Sequence, residues 1–376
     1  MTKTMKALLI YLGRKGGGST YSLEIAKALS KKCDLVAMIS RQSQNLEACR
    51  KAGISLIEID TYEDILGVLL SMLNFKKYFY LWKQIKNVNP DVIYYPMLHL
   101  WTPIINLITP SIPKVTTIHD PIMHKGEKNI ILELIQKIAI KQSTIIIILS
   151  KVFIPVIEKH GISKERISVI PHGESSYYMY NNVSNILQEN NTILFFGRIR
   201  EYKGLNVLIE TFPLIKKKIP DAKLLIVGQG DITPYLSKLS KLQDVELVNH
   251  WISDEEVAKF FSRSSVVVLP YTDATQSGII PIAYMLKVPV ISTKVGGIPE
   301  QVEDGKTGLL VNAGDPVELA EACIRLLTNP ELILSLVENG YQKAIKEWNW
   351  ERVSDMAIEE FKKAIPPLRK AKIDHE

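Results

Sequence analysis

Residues 265–300 carry the pattern that most restricts the fold of this chain. Two short apolar runs, SVVVL and VPVIS, are each followed by a glycine-containing loop and then by a helical pattern. A buried strand that passes through a tight loop into a helix is the repeating unit of a parallel sheet. Because the first turn of a helix has free backbone N–H groups, two such turns in succession also predict a site for an anion such as a diphosphate.

The same alternation runs through the whole chain. Short, β-branched apolar runs predict parallel strands, and helical patterns such as residues 20–32 lie between them. The predicted strands are 6–11, 34–40, 55–60, 91–95, 114–118, 144–149 and 167–170 in the first half, and 192–197, 223–228, 245–249, 265–269, 288–292 and 308–311 in the second. This order predicts an α/β protein with doubly wound parallel sheets.

The length of 376 residues predicts two such domains. We place the first at 1–183 and the second at 184–349, with the polar, Asn-rich segment 176–191 as the linker. The C-terminal amphipathic helix at 350–366 is expected to pack back on the first domain, and the alternative is that it packs on its own domain. A doubly wound sheet binds ligands at the carboxyl ends of its strands, so a site in a cleft between the domains is expected.

Charge is unevenly distributed between the two halves. Residues 1–183 hold 23 Lys and Arg against 14 Asp and Glu, a net charge of +9, and the remainder hold 23 against 26, a net charge of −3. No basic stripe with interleaved aromatic residues appears, which argues against nucleic acid as a partner and favours an anionic membrane or a phosphorylated acceptor. The three widely separated cysteines and the short N-terminal apolar run predict a reduced, cytoplasmic protein without a signal peptide.

Two cations follow a predicted strand in GRIREYKG, at 197–204. Arg198 can hold two phosphate oxygens at once, and Lys203 supplies a mobile point charge. Such a pair would stabilise a diphosphate leaving group, where negative charge develops during transfer of a sugar from a nucleotide diphosphate. The alternative is two solvated cations in a loop.

The chain resembles glycosyltransferase family 4, the retaining transferases of the GT-B fold. The resemblance covers the whole chain and rests on RISVIPHGE, GRIREYKGLNVLIE, LLIVGQGD, LPYTDATQSG, PVISTKVGGIPE and EDGKTGLLV. It implies two Rossmann-like domains facing across a cleft, and a donor that is a nucleotide diphosphate sugar of the UDP or GDP type. Arg198 and Lys203 would contact the diphosphate, and the amides of Ser277, Gly278 and Ile279 would cap its phosphates.

One departure from the family pattern concerns two glutamates eight positions apart, which fall by alignment at Thr275 and Ala283. In the family, the first lies near the transferred sugar and the second binds the ribose. Their absence leaves the identity of the donor open. We expect Gln276, Ser277 or Asp273 to take up the sugar or ribose contacts.

The first domain carries three further candidate features. The resemblance implies that the loop with Gly16, Gly17 and Gly18 touches the donor or acceptor, that His119 in TIHD faces the transferred sugar, and that Ser150 lies near the diphosphate. The three glycines also suit a flexible strand–helix turn, and a histidine at a strand end is often structural.

The nucleobase is expected near 249–261, where Trp251 and Ile252 are candidate contacts by the resemblance. The same residues can be a strand exit that leads into a helix with a Ser253–Glu256 capping box, and both interpretations can hold together.

The segment 63–87 combines an apolar run with interleaved lysine and aromatic residues. It is too short in its apolar part to span a bilayer, and it is typical of a helix that lies on a membrane surface or of one that packs on its own sheet. A peripheral location on the inner face of the cell membrane is therefore one expectation.

Together these features predict a metal-independent glycosyltransferase (a hexosyltransferase) that acts on a glycan or lipid-linked acceptor in surface polysaccharide biosynthesis. No DxD motif appears, and we expect cationic side chains and helix-start amides to act in place of a metal, with no cofactor besides the donor. Two alternatives stay open. One is a nucleotide-sugar epimerase of the same fold, and the other is a non-catalytic binding subunit.

Overall fold

The computed structural model describes residues 5–64, 67, 71, 74–124, 126, 129–180 and 189–367. The chain divides into two compact units. The first comprises Met1–Pro121, Asn129–Gly173 and Trp350–Glu376, and the second comprises Ile122–Lys128 and Glu174–Asn349. The division at Gly173 comes earlier in the chain than the boundary expected at residue 183. Much of the apolar run in 63–87 and of the linker 176–191 lies outside the described residues.

The first unit is built on a parallel sheet of seven strands in the order β3-β2-β1-β4-β5-β6-β7. Its strands are β1 (Lys6–Tyr11), β2 (Asp34–Ser40), β3 (Ser55–Ile59), β4 (Val92–Tyr95), β5 (Lys114–Ile118), β6 (Ile145–Ile148) and β7 (Ile167–Val169). The helices between them are α1 (Gly17–Leu29), α2 (Leu46–Lys51), α3 (Phe75–Val88), α4 (Thr102–Ile108), α5 (Ile130–Gln142) and α6 (Ile154–Glu158).

The second unit has a parallel sheet of six strands in the order β10-β9-β8-β11-β12-β13. Its strands are β8 (Thr192–Phe196), β9 (Lys223–Val227), β10 (Val245–Val248), β11 (Val266–Leu269), β12 (Val290–Thr293) and β13 (Leu309–Val311). Its helices are α7 (Leu205–Lys216), α8 (Leu236–Leu239), α9 (Asp254–Ser262), α10 (Ile279–Met285), α11 (Ile298–Gln301), α12 (Pro316–Leu327) and α13 (Pro330–Glu347).

Both sheets are doubly wound, so the predicted fold class is confirmed. In each sheet the strand order reverses beside the first strand, between β1 and β4 in one and between β8 and β11 in the other. The loops at the carboxyl ends of such a pair diverge and leave room for a ligand. The two loops singled out by the sequence, 197–204 and 270–277, follow β8 and β11 and therefore adjoin at the reversal point of the second sheet.

The last helix, α14 (Trp350–Ala364), belongs to the first unit and packs against α1 and β5. The spacing of Trp350, Val353, Ala357 and Phe361 places one apolar stripe toward that core. Phe361 is fully buried, and its ring centroid lies 5.1 Å from that of Tyr94. The helix therefore completes the core of a unit whose other elements come from the N-terminal half of the chain.

Candidate functional site

The loop after β8 presents the two predicted cations in different ways. Ile199 is buried and pairs with Gly230 just beyond the carboxyl ends of β8 and β9, while Arg198 beside it is exposed, as expected when side chains alternate along extended backbone. Glu201–Lys203 then forms a 3-10 turn, which Gly204 ends in the left-handed region at φ 70°. Lys203 thus lies at the last position of this turn, two residues before α7 begins.

A close backbone approach joins this loop to the loop after β11. A Cβ atom at Gly204 would lie 1.8 Å from the carbonyl oxygen of Pro270, which only glycine permits. The Thr272 N–H donates to the carbonyl oxygen of Tyr202 at 2.8 Å. The two loops at the reversal point of the sheet are therefore fixed to each other.

Lys203 is held against the face of a buried aromatic ring. Its Nζ lies 3.8 Å from the ring centroid of Tyr271 and 5.0 Å from that of Tyr202. A cation over a tyrosine face is attracted by the electrons of the ring, which restricts a side chain that is otherwise mobile. Tyr271 is fully buried, and its hydroxyl is 3.1 Å from the Ser277 Oγ. The lysine is therefore linked to the start of α10.

Backbone amides at the start of α10 already have partners within the unit. The Ser277 N–H donates to Gln301 Oε1 at 2.7 Å, and Gln301 Nε2 donates back to the Ser277 carbonyl at 3.0 Å. The Ile279 N–H donates to Ser277 Oγ at 3.2 Å. Of the three amides expected to cap phosphates, those of Ser277 and Ile279 could do so only by exchanging these hydrogen bonds. That of Gly278 lies between them.

The second glycine turn is tied to the first. The Gly297 N–H, at the start of α11, donates to the carbonyl oxygen of Thr275 at 3.1 Å. We expected both helix starts to direct free amides at one anion. At these positions the amides instead donate to groups within the unit, and these hydrogen bonds fix the loop 270–277. The side chains of Lys203 and Arg198 remain candidate charged donors to a diphosphate.

The positions of the missing glutamates lie in the interior of the unit. Thr275 is 3% exposed and Ala283 is fully buried. The Oε1 of neighbouring Gln276 is buried and accepts no hydrogen bond from the described residues. An unpartnered buried amide oxygen is unfavourable unless a ligand or water donates to it, which keeps Gln276 as a candidate donor-binding residue.

Sequence reasoning did not find one neighbour of this loop, His124. The segment Ile122–Lys128 comes from the N-terminal half of the chain and yet belongs to the second unit. The His124 ring stacks on Tyr202, with centroids 4.3 Å apart and planes at 10°, and its Nδ1 lies 3.5 Å from a carboxylate oxygen of Asp273. The only available signal was that this histidine closely follows the TIHD motif.

The residues expected to hold the nucleobase follow β10. The Trp251 side chain is 47% exposed, and Ile252 packs at the edge of the second unit's core. The predicted capping box at the start of α9 is confirmed, because the Glu256 N–H donates to Ser253 Oγ and the Ser253 N–H donates to Glu256 Oε2.

In the first unit the glycine loop follows β1 and opens α1. Gly16 has φ 88°, and its N–H donates to Gln44 Oε1 at 3.2 Å. Gly17 and Gly18 are the first residues of the helix, which begins earlier than the predicted residue 20. A Cβ at Gly18 would lie 2.8 Å from the Met97 side chain, so part of the glycine requirement is internal packing.

His119 follows β5 and has a defined hydrogen-bonding role. Its Nε2 is 2.9 Å from the carbonyl oxygen of Pro96, which can only accept, so Nε2 carries the proton. Burial lowers the pKa of the imidazole, which keeps the ring neutral near pH 7. Nδ1 is consequently an acceptor, and this histidine can receive a hydrogen bond from a hydroxyl group but cannot donate one.

Ser150, just beyond β6, is 2% exposed, and its Oγ makes no hydrogen bond with any described residue. It lies in the first unit together with the glycine loop and His119, whereas all the other predicted site residues lie in the second unit. Within the described parts of the chain, no group of three His, Cys, Asp or Glu side chains could hold a metal ion.

Comparison with known proteins places these features in a family. The profile described as Glycosyltransferase Family 4 matches residues 15–173, and the profile described as Glycosyl transferases group 1 matches residues 190–329. A capsular polysaccharide biosynthesis glycosyltransferase of Staphylococcus aureus, CapM, is 31% identical over 255 residues, which are 62% of this chain and 66% of the relative. The chain thus spans just under two thirds of the length of this relative, and about half of others.

Solved structures share the fold at low sequence identity. The structure of Anabaena HepE in complex with UDP and glucose superposes with a TM-score of 0.76 at 17% identity, covering 96% of this chain and all of that one. Sucrose-phosphate synthase from Thermosynechococcus elongatus gives a TM-score of 0.75 at 19% identity, covering 98% of this chain and all of that one. The predicted GT-B fold is confirmed, and the chain belongs to the group 1 glycosyltransferases of family 4.

Proposed function

We propose that this chain is a retaining glycosyltransferase that moves a sugar from a UDP or GDP sugar to a glycan or lipid-linked acceptor. The observation that carries the proposal is Lys203, which is held over Tyr271 at the reversal point of the second sheet. A cation restrained at this position suits a diphosphate leaving group, on which negative charge develops as the sugar is transferred.

In the proposed reaction the bond from the anomeric carbon to the diphosphate oxygen breaks, and a bond to the acceptor oxygen forms on the same face of the sugar. Negative charge grows on the diphosphate, where Lys203 and exposed Arg198 stabilise it. The proton of the acceptor hydroxyl passes to a leaving phosphate oxygen. We propose that these cations do the work for which other transferases use a metal ion.

Because the two glutamates of the family pattern are absent, other residues would recognise the sugar. The Asp273 side chain is 43% exposed and lies beside His124, so its carboxylate can accept from a sugar hydroxyl. Gln276 contributes a buried, unpartnered amide oxygen. On the first unit, neutral His119 would accept from another hydroxyl, and Ser150 and the glycine loop would contribute further polar contacts.

The acceptor is proposed to bind the first unit, where the basic character of the chain is concentrated. A lipid-linked acceptor in surface polysaccharide assembly would place the enzyme on the cytoplasmic face of the membrane. The name of the Staphylococcus relative supports this setting, because that protein is described as acting in capsular polysaccharide biosynthesis.

The proposal is tested by calorimetric titration of the protein with UDP, GDP, ADP and dTDP sugars. We expect one donor to bind and Lys203→Ala to weaken its binding about tenfold or more. Asp273→Asn should weaken binding of the nucleotide sugar but not binding of the nucleotide without its sugar. Lys287→Ala is the matched control, since Lys287 also lies over a tyrosine ring in the second unit, 4.5 Å from that of Tyr341, beyond the far end of α10.

Two outcomes would overturn the proposal. Conversion of the donor sugar to its epimer without an acceptor would indicate the epimerase alternative. Tight nucleotide binding with no turnover across a panel of acceptors would indicate a non-catalytic binding subunit.

A further inference from the structure

One layer of helices on the first unit exposes large apolar side chains. α4 packs against both α3 and α5, so the three helices lie side by side. The exposed fractions are 81% for Phe75, 65% for Phe79, 67% for Leu107, 83% for Ile130, 65% for Ile131 and 56% for Leu134. We call these six side chains the apolar layer.

The N-terminal part of α5 departs most from an ordinary surface helix. Its sequence, IILELIQKIAIKQ, is rich in isoleucine and leucine, yet only Ala139 and Ile140 are buried. A helix of a globular protein normally directs its apolar stripe at the core. Here the stripe faces outward over its first turns, and clustered exposed apolar side chains of this kind mark interaction surfaces.

The charges on the same helices have one predominant sign. α3 carries Lys76, Lys77, Lys83 and Lys86 and no acidic residue, α4 carries no charge, and α5 carries Lys137 and Lys141 against Glu133. Apart from half-buried Lys77, these lysines are exposed. A surface with six lysines and one glutamate is complementary to an anionic partner and would repel a second copy of itself.

We propose that α3, α4 and α5 form a surface that docks on an anionic lipid bilayer. The apolar layer would enter the boundary of the acyl chains, and the lysines would contact the headgroups. No helix of the described residues is long and apolar enough to cross a membrane. The inference rests on the proposed function in that a lipid-linked acceptor would be presented at such a surface.

The test is co-sedimentation of the protein with vesicles of phosphatidylcholine, with and without phosphatidylglycerol. Wild type should bind the anionic vesicles at low salt, and the binding should weaken as salt rises. Ile131→Ser with Leu134→Ser should lower vesicle affinity about tenfold or more, because the apolar contribution is lost while the charge is unchanged.

The matched control is Val317→Ser with Leu334→Ser, which makes the same kind of change at side chains of the second unit that are 56% and 70% exposed. This control should bind like wild type. Failure of wild type to bind anionic vesicles, or equal binding by both double variants, would overturn the proposal. Self-association of wild type that only the α5 variant abolishes would also overturn it, in favour of a second copy as the partner.

Binding of the nucleotide sugar, measured in solution without vesicles, separates this inference from the proposed function. Both double variants should bind the nucleotide sugar as wild type does, because none of the substituted residues belongs to the donor site. If vesicles bind and no donor does, the docking surface stands while the transferase proposal fails. Donor binding without vesicle binding gives the reverse result.

Discussion

The close approach of Gly204 to Pro270 makes a quantitative prediction. Gly204→Ala introduces a Cβ atom 1.8 Å from the Pro270 carbonyl oxygen, at a residue with φ 70°. The carbonyl carbon of Pro270 would lie 2.8 Å from the same Cβ atom. Since both of these atoms belong to the backbone, no side-chain rotation can relieve the clash. The turn that carries Lys203 must therefore move away from the loop after β11.

Two costs add up in this variant. An alanine whose backbone is in the left-handed region costs about 1–2 kcal/mol relative to one in the right-handed region. Forcing an extra methyl group into a packed site costs about 1–3 kcal/mol more. The free energy of unfolding of the second unit should therefore fall by about 2–5 kcal/mol in total.

Gly314→Ala separates the two contributions. Gly314 is in the same unit at φ 77°, and a Cβ atom there would meet nothing within 4 Å. This control should show only the conformational cost. The assay is urea unfolding followed by circular dichroism, together with calorimetric donor affinity, which only Gly204→Ala should lower because only this substitution displaces Lys203 from Tyr271. If the two variants were equally stable and bound the donor equally well, the contact between Gly204 and Pro270 would not position Lys203.

Two further predictions concern the first unit. Phe361→Ala should lower its unfolding free energy by about 3–5 kcal/mol in urea titrations, because a fully buried ring is removed from α14, and a loss below about 1 kcal/mol would contradict that packing. Burial and the nearby His119 lower the pKa of His172 from 6.5 to about 4. The unfolded chain therefore takes up this proton first, and stability should fall as pH drops from 6.5 toward 4. In His172→Gln this part of the decline should be smaller when unfolding is measured across that range, and identical slopes for the two proteins would contradict the assignment.

The sheets could be predicted from the sequence because parallel buried strands leave a strong local signal. Each predicted run, from 6–11 to 308–311, overlaps an observed strand, with ends that agree closely. Runs such as TIIIIL have no polar face, which only a sheet covered on both sides accommodates. Right-handed crossovers restrict the possible strand orders but do not choose one of them, so the order itself was not predicted.

Details of the site were less accessible because they depend on contacts between distant residues. The pairing of Gln301 with the backbone of Ser277 uses both groups of an amide side chain that carries no positional signal in the sequence. The contact of His124 with Tyr202 and Asp273 joins segments from different halves of the chain. Patterns in the local sequence indicate neither the contact of Gln301 nor that of His124.

The exposure of the apolar side chains of α5 could not be predicted from the sequence either. An isoleucine-rich helix between two buried strands reads as a core element, and the expectation of a membrane contact was drawn instead from 63–87. Whether an apolar helical face meets a core or solvent depends on the tertiary structure around it, which periodicity does not contain.

The role of Lys203 is tested most directly by the rate at which nucleoside diphosphate is released from the donor in the presence of an acceptor that the enzyme uses. We expect turnover by wild type and by Lys287→Ala, and a loss of about a hundredfold or more in kcat for Lys203→Ala, because a charge that stabilises the leaving diphosphate is removed. Equal kcat for all three proteins would contradict the assignment of Lys203 to the diphosphate.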